Sequence, residues 1–282
     1  MEITSTVEGV RSTVNKWRTE GLKVGFVPTM GFLHEGHESL IKRAVEENDR
    51  VVVSIFVNSK QFDEKEDFSN YPKDMETDIL KCKDVGVHVL FNPGHDEMYT
   101  EGFSTYVDME GLTDNLCGQS RDAHFRGVCT VVAKLFNIVR PDKAYFGQKD
   151  AQQVAVVKRM VDDLNFDIKI IECETIREAD GLAKSSRNVL LNKEERKAAT
   201  IINEALRFSE RKITEGEKDP SKIQKYIKEL LETQKLARLD YVEIVNNETM
   251  EPVKRIEGRI LVAVAVFIGN VRLIDNFVYQ AK

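Results

Sequence analysis

Four short segments hold the side chains with most chemical potential. The first is Pro28-Thr29-Met30-Gly31-Phe32-Leu33-His34-Glu35-Gly36-His37, between an apolar run and an amphipathic stretch. Histidines three apart share one face of a helical turn. A helix N-terminus offers unpaired N–H groups and a positive dipole end to phosphate. His34 and His37 are therefore candidates to stabilise negative charge that develops on phosphate oxygens, while Gly31 and Gly36 let the backbone approach a ligand. For a bare HxxH, a tight strand–helix turn with surface histidines is the simpler reading. A metal reading lacks a marked third ligand and the HExxH spacing.

The second segment is Phe146-Gly147-Gln148-Lys149-Asp150. Gly147 permits close approach, Lys149 suits a phosphate, and Asp150 suits a ribose hydroxyl or a plain helix cap. It is not a Walker A loop. The third, Ile176 through Asn188, packs Lys184, Ser185, Ser186 and Arg187 into four residues. That makes a phosphate-gripping loop or a solvated turn rich in serine. The fourth contains Asn58 and Gln61, amides that could read hydroxyls or a carboxylate, with Gln153 as a possible companion. Arg121, His124 and Arg126 are lesser anion candidates, and His88 and His95 read as structural. Asp67, Asp74 and Asp78 read as acids on a solvated helix rather than magnesium contacts.

Hydrophobic patterning indicates the elements that carry these segments. KVGFV (23–27), a helix from Ser39, and the β-branched run VVVSIFV (51–57) form a βαβ unit. VHVLF (87–91) is a further strand. Apolar positions from Val128 to Val139 recur at helical spacing, and Pro141 stops that helix. KAYF (143–146), a helix over 150–162 and DIKII (167–171) repeat the pattern. Residues 1–175 thus read as an α/β domain with a doubly wound, Rossmann-like parallel sheet. Asn192 with Glu195 predicts a capping box and a helix to about 212, and Asp219-Pro220 opens another helix. YVEIV, RILVAVAVF and RLIDNFVY then predict a small sheet. Residues 176–282 read as a smaller α+β, lid-like domain.

The chain has 282 residues and a formal charge of −6, with 41 Lys plus Arg against 47 Asp plus Glu. No basic field suggests nucleic acid or an anionic membrane as partner, and no apolar run is long enough for a membrane helix. Cys82, Cys117, Cys129 and Cys173 are scattered, which predicts reduced thiols and a cytoplasmic setting.

Taken together, the motifs resemble the pantoate–β-alanine ligase (pantothenate synthetase) family, within the nucleotidyltransferases that carry HxGH. Segments 28–37, 56–62, 66–73, 124–153, 177–191 and 272–276 carry the likeness, which is weakest over 192–258. Departures are Ser59 for Pro, Lys73 for Arg, Lys184 where Met is common, and Ala123 where Gly is frequent. The resemblance implies an AMP-forming ligase that joins (R)-pantoate to β-alanine through pantoyl adenylate, with ATP as co-substrate and Mg2+ as cofactor. A different HxGH nucleotidyltransferase is the alternative. Implied catalytic residues are His34, His37, Lys149 and Arg187. The implied ATP site comprises Met30, Gly31, Phe32, Leu33, His34, Glu35, Gly36, His37, Gly147, Gln148, Lys149, Asp150, Ile176, Lys184, Ser185, Ser186 and Arg187. Asn58, Gln61 and Gln153 would hold pantoate and β-alanine. A homodimer is also implied, with small-molecule partners only.

Overall fold

The computed structural model describes every residue except Glu64, Asp122 and Lys282, and only the backbone of Lys65. The chain forms two compact units. One comprises Met1–Met109, Arg121–Gln148 and Val156–Glu174; the other comprises Glu110–Ser120, Lys149–Ala155 and Thr175–Lys282. The sequence reading divides the chain at 175/176. Residues 110–120 and 149–155, which it counts with the first domain, belong by contact to the second unit.

In chain order the first unit carries β1 (Glu2–Thr4), α1 (Val7–Thr19), β2 (Val24–Thr29), α2 (Glu35–Glu47), β3 (Arg50–Ile55), α3 (Lys65–Asn70), α4 (Met75–Val85), β4 (Val89–Phe91) and α5 (His95–Met98). After α6 (Cys117–Ser120), which belongs to the second unit, come α7 (His124–Val139), β5 (Lys143–Gly147), α8 (Ala151–Asp163) and β6 (Lys169–Cys173). The first turn of α8 counts with the second unit. Six strands form one parallel sheet in the order β1-β4-β3-β2-β5-β6. The β2–β3 register runs from Val24↔Arg50 to Thr29↔Ile55. As predicted for a central parallel strand, β3 is buried on both faces: Val51, Val53 and Ile55 pack with Leu40, Ile41 and Ala44 of α2, and Val52 and Ser54 of the opposite face are also buried. The winding direction reverses between β2 and β5, and open sheets of this kind hold ligands beyond the carboxyl ends at such a point. The loops after β2 and β5 therefore leave from the place where the sequence concentrates its chemistry.

The long apolar helix is α7. Phe136 makes edge-on ring contacts with Phe26, Phe146 and Phe166. The helix ends at Val139, with Arg140 in the left-handed region just before Pro141. β1 and α1 carry little hydrophobic patterning; two buried valines, Val10 and Val14, are α1's main apolar anchor.

The second unit also carries α9 (Lys193–Ala198), α10 (Thr200–Thr214), α11 (Pro220–Glu232), β7 (Ala237–Asn246), β8 (Arg259–Ile268) and β9 (Val271–Gln280). Its antiparallel sheet runs β7-β8-β9. β8 is buried on both faces. Ile260, Val262, Val264, Val266 and Ile268 join the α10 and α11 residues Ile202, Leu206, Ile223 and Ile227, while Leu261 and Ala263 pack with Leu116 and Ala151. That second face ties 110–120 and 149–155 to this unit. The Asn192/Glu195 capping box forms as predicted, with Asn192 Oδ1 accepting from Glu195 N at 3.0 Å and Glu195 Oε2 from Asn192 N at 2.9 Å. The helix expected to run to about 212 instead breaks at Ala199, where Ile202 N–H reaches the Ala199 carbonyl. Asp219 caps α11, with Pro220 in its first turn. All four cysteines are buried and free. Among the described residues, no helix is long and apolar enough to cross a membrane.

Candidate active site

In the first unit, β2 delivers Thr29 to the loop. Thr29 Oγ1 donates to Ser54 O at 2.8 Å and accepts from Gly31 N at 3.2 Å. Gly31 and Phe32 are both left-handed, at φ +83° and +50°. A Cβ on Gly31 would lie 2.8 Å from Ile55 Cγ2 and 3.0 Å from Asp78 Oδ2, so sterics and dihedral both demand glycine. His34 is the N-cap of α2. Its Nδ1 accepts from Gly36 N at 3.1 Å, and His37 Nδ1 accepts from His34 N at 3.3 Å. The pair is thus a capping box built from imidazoles, with ring centroids 4.1 Å apart. A ring whose Nδ1 accepts a backbone N–H carries its neutral-form proton on Nε2. Both histidines are thereby fixed as Nε2–H donors.

Asp78 is 2% exposed, contrary to its expected place on a solvated face. It accepts from Phe32 N at 2.8 Å and Leu33 N at 2.7 Å. Burial pushes its carboxyl above the ordinary aspartate value, with the two N–H bonds opposing. The periodicity of α4 alone could not reveal this, because the partner N–H groups are more than forty residues away.

The two amides of the fourth segment divide their labour. Asn58, 1% exposed, donates to Gln61 Oε1 at 3.0 Å and Gly127 O at 3.1 Å, and accepts from Tyr99 Oη at 2.7 Å and Lys60 N at 3.3 Å. Two donors and two acceptor sites are thereby spent. These bonds tie Asn58 directly to Gln61, the other amide expected to meet substrate. Gln61 Nε2 lies 3.3 Å from Met30 Sδ. Its carbonyl is clamped by Arg121 at 3.1 Å and His124 at 2.9 Å, and Arg121 also pairs with Asp63 at 2.9 Å. Gly127 is required here, since a Cβ would sit 2.2 Å from Lys60 O. Arg126 instead stacks on the Tyr106 ring at 4.2 Å. Ser59, the departure from proline, lies 3.1 Å from His95 Nε2. His88 is structural as expected, accepting from Val51 N at Nδ1. Gly147 ends β5, and a Cβ there would meet nothing within 4 Å. Packing therefore does not require this glycine.

Gln148–Asp150 form one 3₁₀ turn before α8, and Lys149 and Asp150 of that turn count with the second unit. Lys149 Nζ lies 3.8 Å from Asp150 Oδ1, and the Lys149 carbonyl accepts from Asn276 Nδ2 at 2.9 Å. Asn276 and its neighbour Asp275 belong to the RLIDN segment of β9. Asp275, 3% exposed, takes a bidentate pair from Arg177 at 2.6 and 2.9 Å. Adjacent residues of one strand therefore hold Lys149 and the start of the 177–188 loop. Within that loop Ile176 O accepts from Lys184 N at 2.9 Å, and Ser185 Oγ caps the short turn Ser186–Leu190 by accepting from Arg187 N at 3.2 Å. Lys184, the residue replacing methionine, is 4.0 Å from Glu178. Burial opposes ionisation of Glu178, yet hydrogen bonds from Arg196 and Asn188 hold its carboxyl below the usual range. Gln153 sits half-buried on the first turn of α8, whereas its neighbour Gln152 is consumed by Cys117 N, Leu112 O and Asn115 O. Arg177, Asp275 and Asn276 lie in segments that carry the resemblance, but local spacing assigns them no role because their partners lie far along the chain.

Burial pushes the Cys82 and Cys129 thiols up to about 12, which makes them packing residues. Among the described residues, no group of three or more His, Cys, Asp or Glu could hold a metal ion.

A family model described as Pantoate-beta-alanine ligase matches residues 2–278. The chain is 56% identical over 282 residues to a pantothenate synthetase of Enterococcus faecalis, covering 100% of both chains. It is 56% identical over 271 residues to one of Clostridioides difficile, covering 96% of each. A crystal structure of pantothenate synthetase from Thermus thermophilus superimposes with a TM-score of 0.94 at 44% identity, covering 98% of this chain and 99% of that one. A pantoate-beta-alanine ligase from Francisella tularensis, complexed with beta-gamma ATP and beta-alanine, gives 0.82 at 38%, covering 98% and 97%. With motifs, fold and full-length identity in agreement, the chain belongs to the pantoate–β-alanine ligase family.

Proposed function

We propose that this chain condenses (R)-pantoate with β-alanine, converting ATP to AMP and pyrophosphate through pantoyl adenylate. Beyond membership of the family, the observation that supports this most directly is the imidazole capping box at the switch point of the sheet. It presents two Nε2–H donors whose tautomers the backbone fixes, which suits charge stabilisation without a proton-transfer step.

In the first step a pantoate carboxylate oxygen attacks the α-phosphorus. The bond from that phosphorus to the bridging oxygen breaks, and pyrophosphate leaves with the electron pair. His34, His37, Lys149, Ser185, Ser186 and Arg187 are assigned as donors to the phosphate oxygens. Met30 to His37, Gly147 and Gln148 on the first unit, and Lys149, Asp150, Ile176 and Lys184 to Arg187 on the second, are the residues assigned to ATP, with Gly147 bare for close approach and Asp150 on the ribose. Gln61, held by Asn58, Arg121 and His124, orients pantoate together with Gln153. In the second step the β-alanine amine attacks the acyl carbon, AMP leaves, and the amine gives up a proton. Positioning and charge stabilisation suffice, so no side-chain nucleophile is assigned.

Magnesium is proposed to enter on the ATP phosphates, where it neutralises charge. A cytoplasmic homodimer is the proposed setting; light scattering of the purified chain should give twice the monomer mass. The reaction itself is tested by isotope exchange between pyrophosphate and ATP. Exchange should need pantoate and proceed without β-alanine. Exchange that is indifferent to pantoate would refute the adenylate route.

A further inference from the structure

We propose that Asp78 and Lys81, one turn apart on α4, form a brace that sets the peptide of Leu33, making Asp78 a positioning residue for the imidazole pair. This rests on the reading of His34 and His37 as the phosphate donors. The two Asp78 oxygens are divided between consecutive N–H groups, Oδ2 accepting from Phe32 and Oδ1 from Leu33. At the other end of the same residue, Lys81 Nζ donates to Leu33 O and also pairs with Glu38 Oε1 of α2 at 3.3 Å. One helix face thus grips both the N–H and the C=O of the residue that precedes the cap.

The turn needs such a grip. Phe32 is held left-handed, a conformation that is unfavourable for a non-glycine residue and persists only where surroundings enforce it. Gly31 lies close enough to the carboxylate that even a methyl group would press on it. Burying a carboxylate this completely is costly, and an apolar side chain would fill the space at less expense. What the carboxylate supplies is two acceptors at fixed positions, and they go to the backbone that aims His34. His34 N–H in turn caps onto His37 Nδ1, so a shift of the Leu33 peptide displaces both rings.

The test uses the full chain and the variants Asp78→Asn, Lys81→Met, His37→Ala and the two double variants with His37→Ala. Nitrogen-15 spectra of the histidine rings in wild type should show His34 and His37 as Nε2–H tautomers, and this signature should be lost in D78N while circular dichroism remains native. In pantoate-dependent exchange, D78N should lower kcat about 100-fold with the KM for ATP changed less than about threefold. Adding D78N to H37A should cost no more than about threefold, because the two changes act on one device. Unchanged ring signals in D78N, or the same fold-loss in both backgrounds, overturn the proposal. Should D78N fail to fold, K81M carries the same ring and coupling tests with an expected loss of about tenfold, and wild-type behaviour there overturns it. Absence of exchange in the wild type defeats the functional reading instead, and the ring spectra still decide the brace.

Discussion

A bare HxxH could have been surface decoration. What settles its geometry is that each Nδ1 is spent on a backbone N–H, so two imidazoles do the work usually done by a serine and a glutamate. Removing one should therefore have two separable costs. His37→Ala should lose about 1 kcal/mol of stability with the cap, read by denaturant unfolding, and about 100-fold or more of pantoate-dependent exchange with the donor. Lys149→Ala, whose carbonyl hold by Asn276 survives the change, should lose exchange with its unfolding midpoint intact. Two glycines make the opposite contrast. Gly147→Ala meets no protein atom within 4 Å and should leave stability within about 0.5 kcal/mol while weakening ATP use. Gly127→Ala drives a methyl against the Lys60 carbonyl and should damage both. The sequence marked His34, His37, Gln61 and Lys149 because residue type and local spacing carry that information. It assigns no site role to Asp78, Arg177, Asp275 or Asn276, whose significance lies in partners distant along the chain. Nor does local spacing show that Asn58 is engaged by Gln61, Gly127, Tyr99 and Lys60, since an amide's saturation by neighbours has no local signature.

Elements were more legible than contacts. The central strands and α7 follow from apolar runs and helical spacing; β1 and α1 offer little such signal, with one short edge strand and two buried valines. One electrostatic tie between elements makes a pH prediction. Glu47, at the end of α2, is held at about 2 by the hydrogen bond from Arg43, helped by Tyr145 and Lys143 of β5 against the cost of burial. A carboxyl depressed in the fold contributes stability above its ordinary value near 4.5, lost as pH falls toward 2. With solvent screening allowed for, the contribution should be roughly 1 kcal/mol. Glu47→Gln should flatten that acid limb of the melting temperature; a limb as steep as in wild type would contradict the tie. β9 makes a second case. Asp275→Asn leaves the Arg177 guanidinium without its carboxylate and should destabilise the second unit by about 3 kcal/mol in thermal unfolding.

At the scale of the molecule, a net charge of −6 is no obstacle to a polyanionic co-substrate. The cationic and N–H donors gather in a few loops, and the range of a charge in physiological salt is roughly 8 Å. Local patterning also could not foresee that 110–120 and 149–155 pack with the second unit, because their partners Leu261 and Ala263 lie on the second buried face of a strand more than a hundred residues later. On the proposed route a pantoate carboxylate oxygen attacks the α-phosphorus. Pantoate labelled with oxygen-18 in its carboxylate, turned over with ATP and β-alanine, tests it most directly by mass spectrometry of the products. Attack at the α-phosphorus followed by acyl transfer predicts one labelled oxygen in AMP and none in pyrophosphate. Unlabelled AMP, or label released in inorganic phosphate, would contradict it.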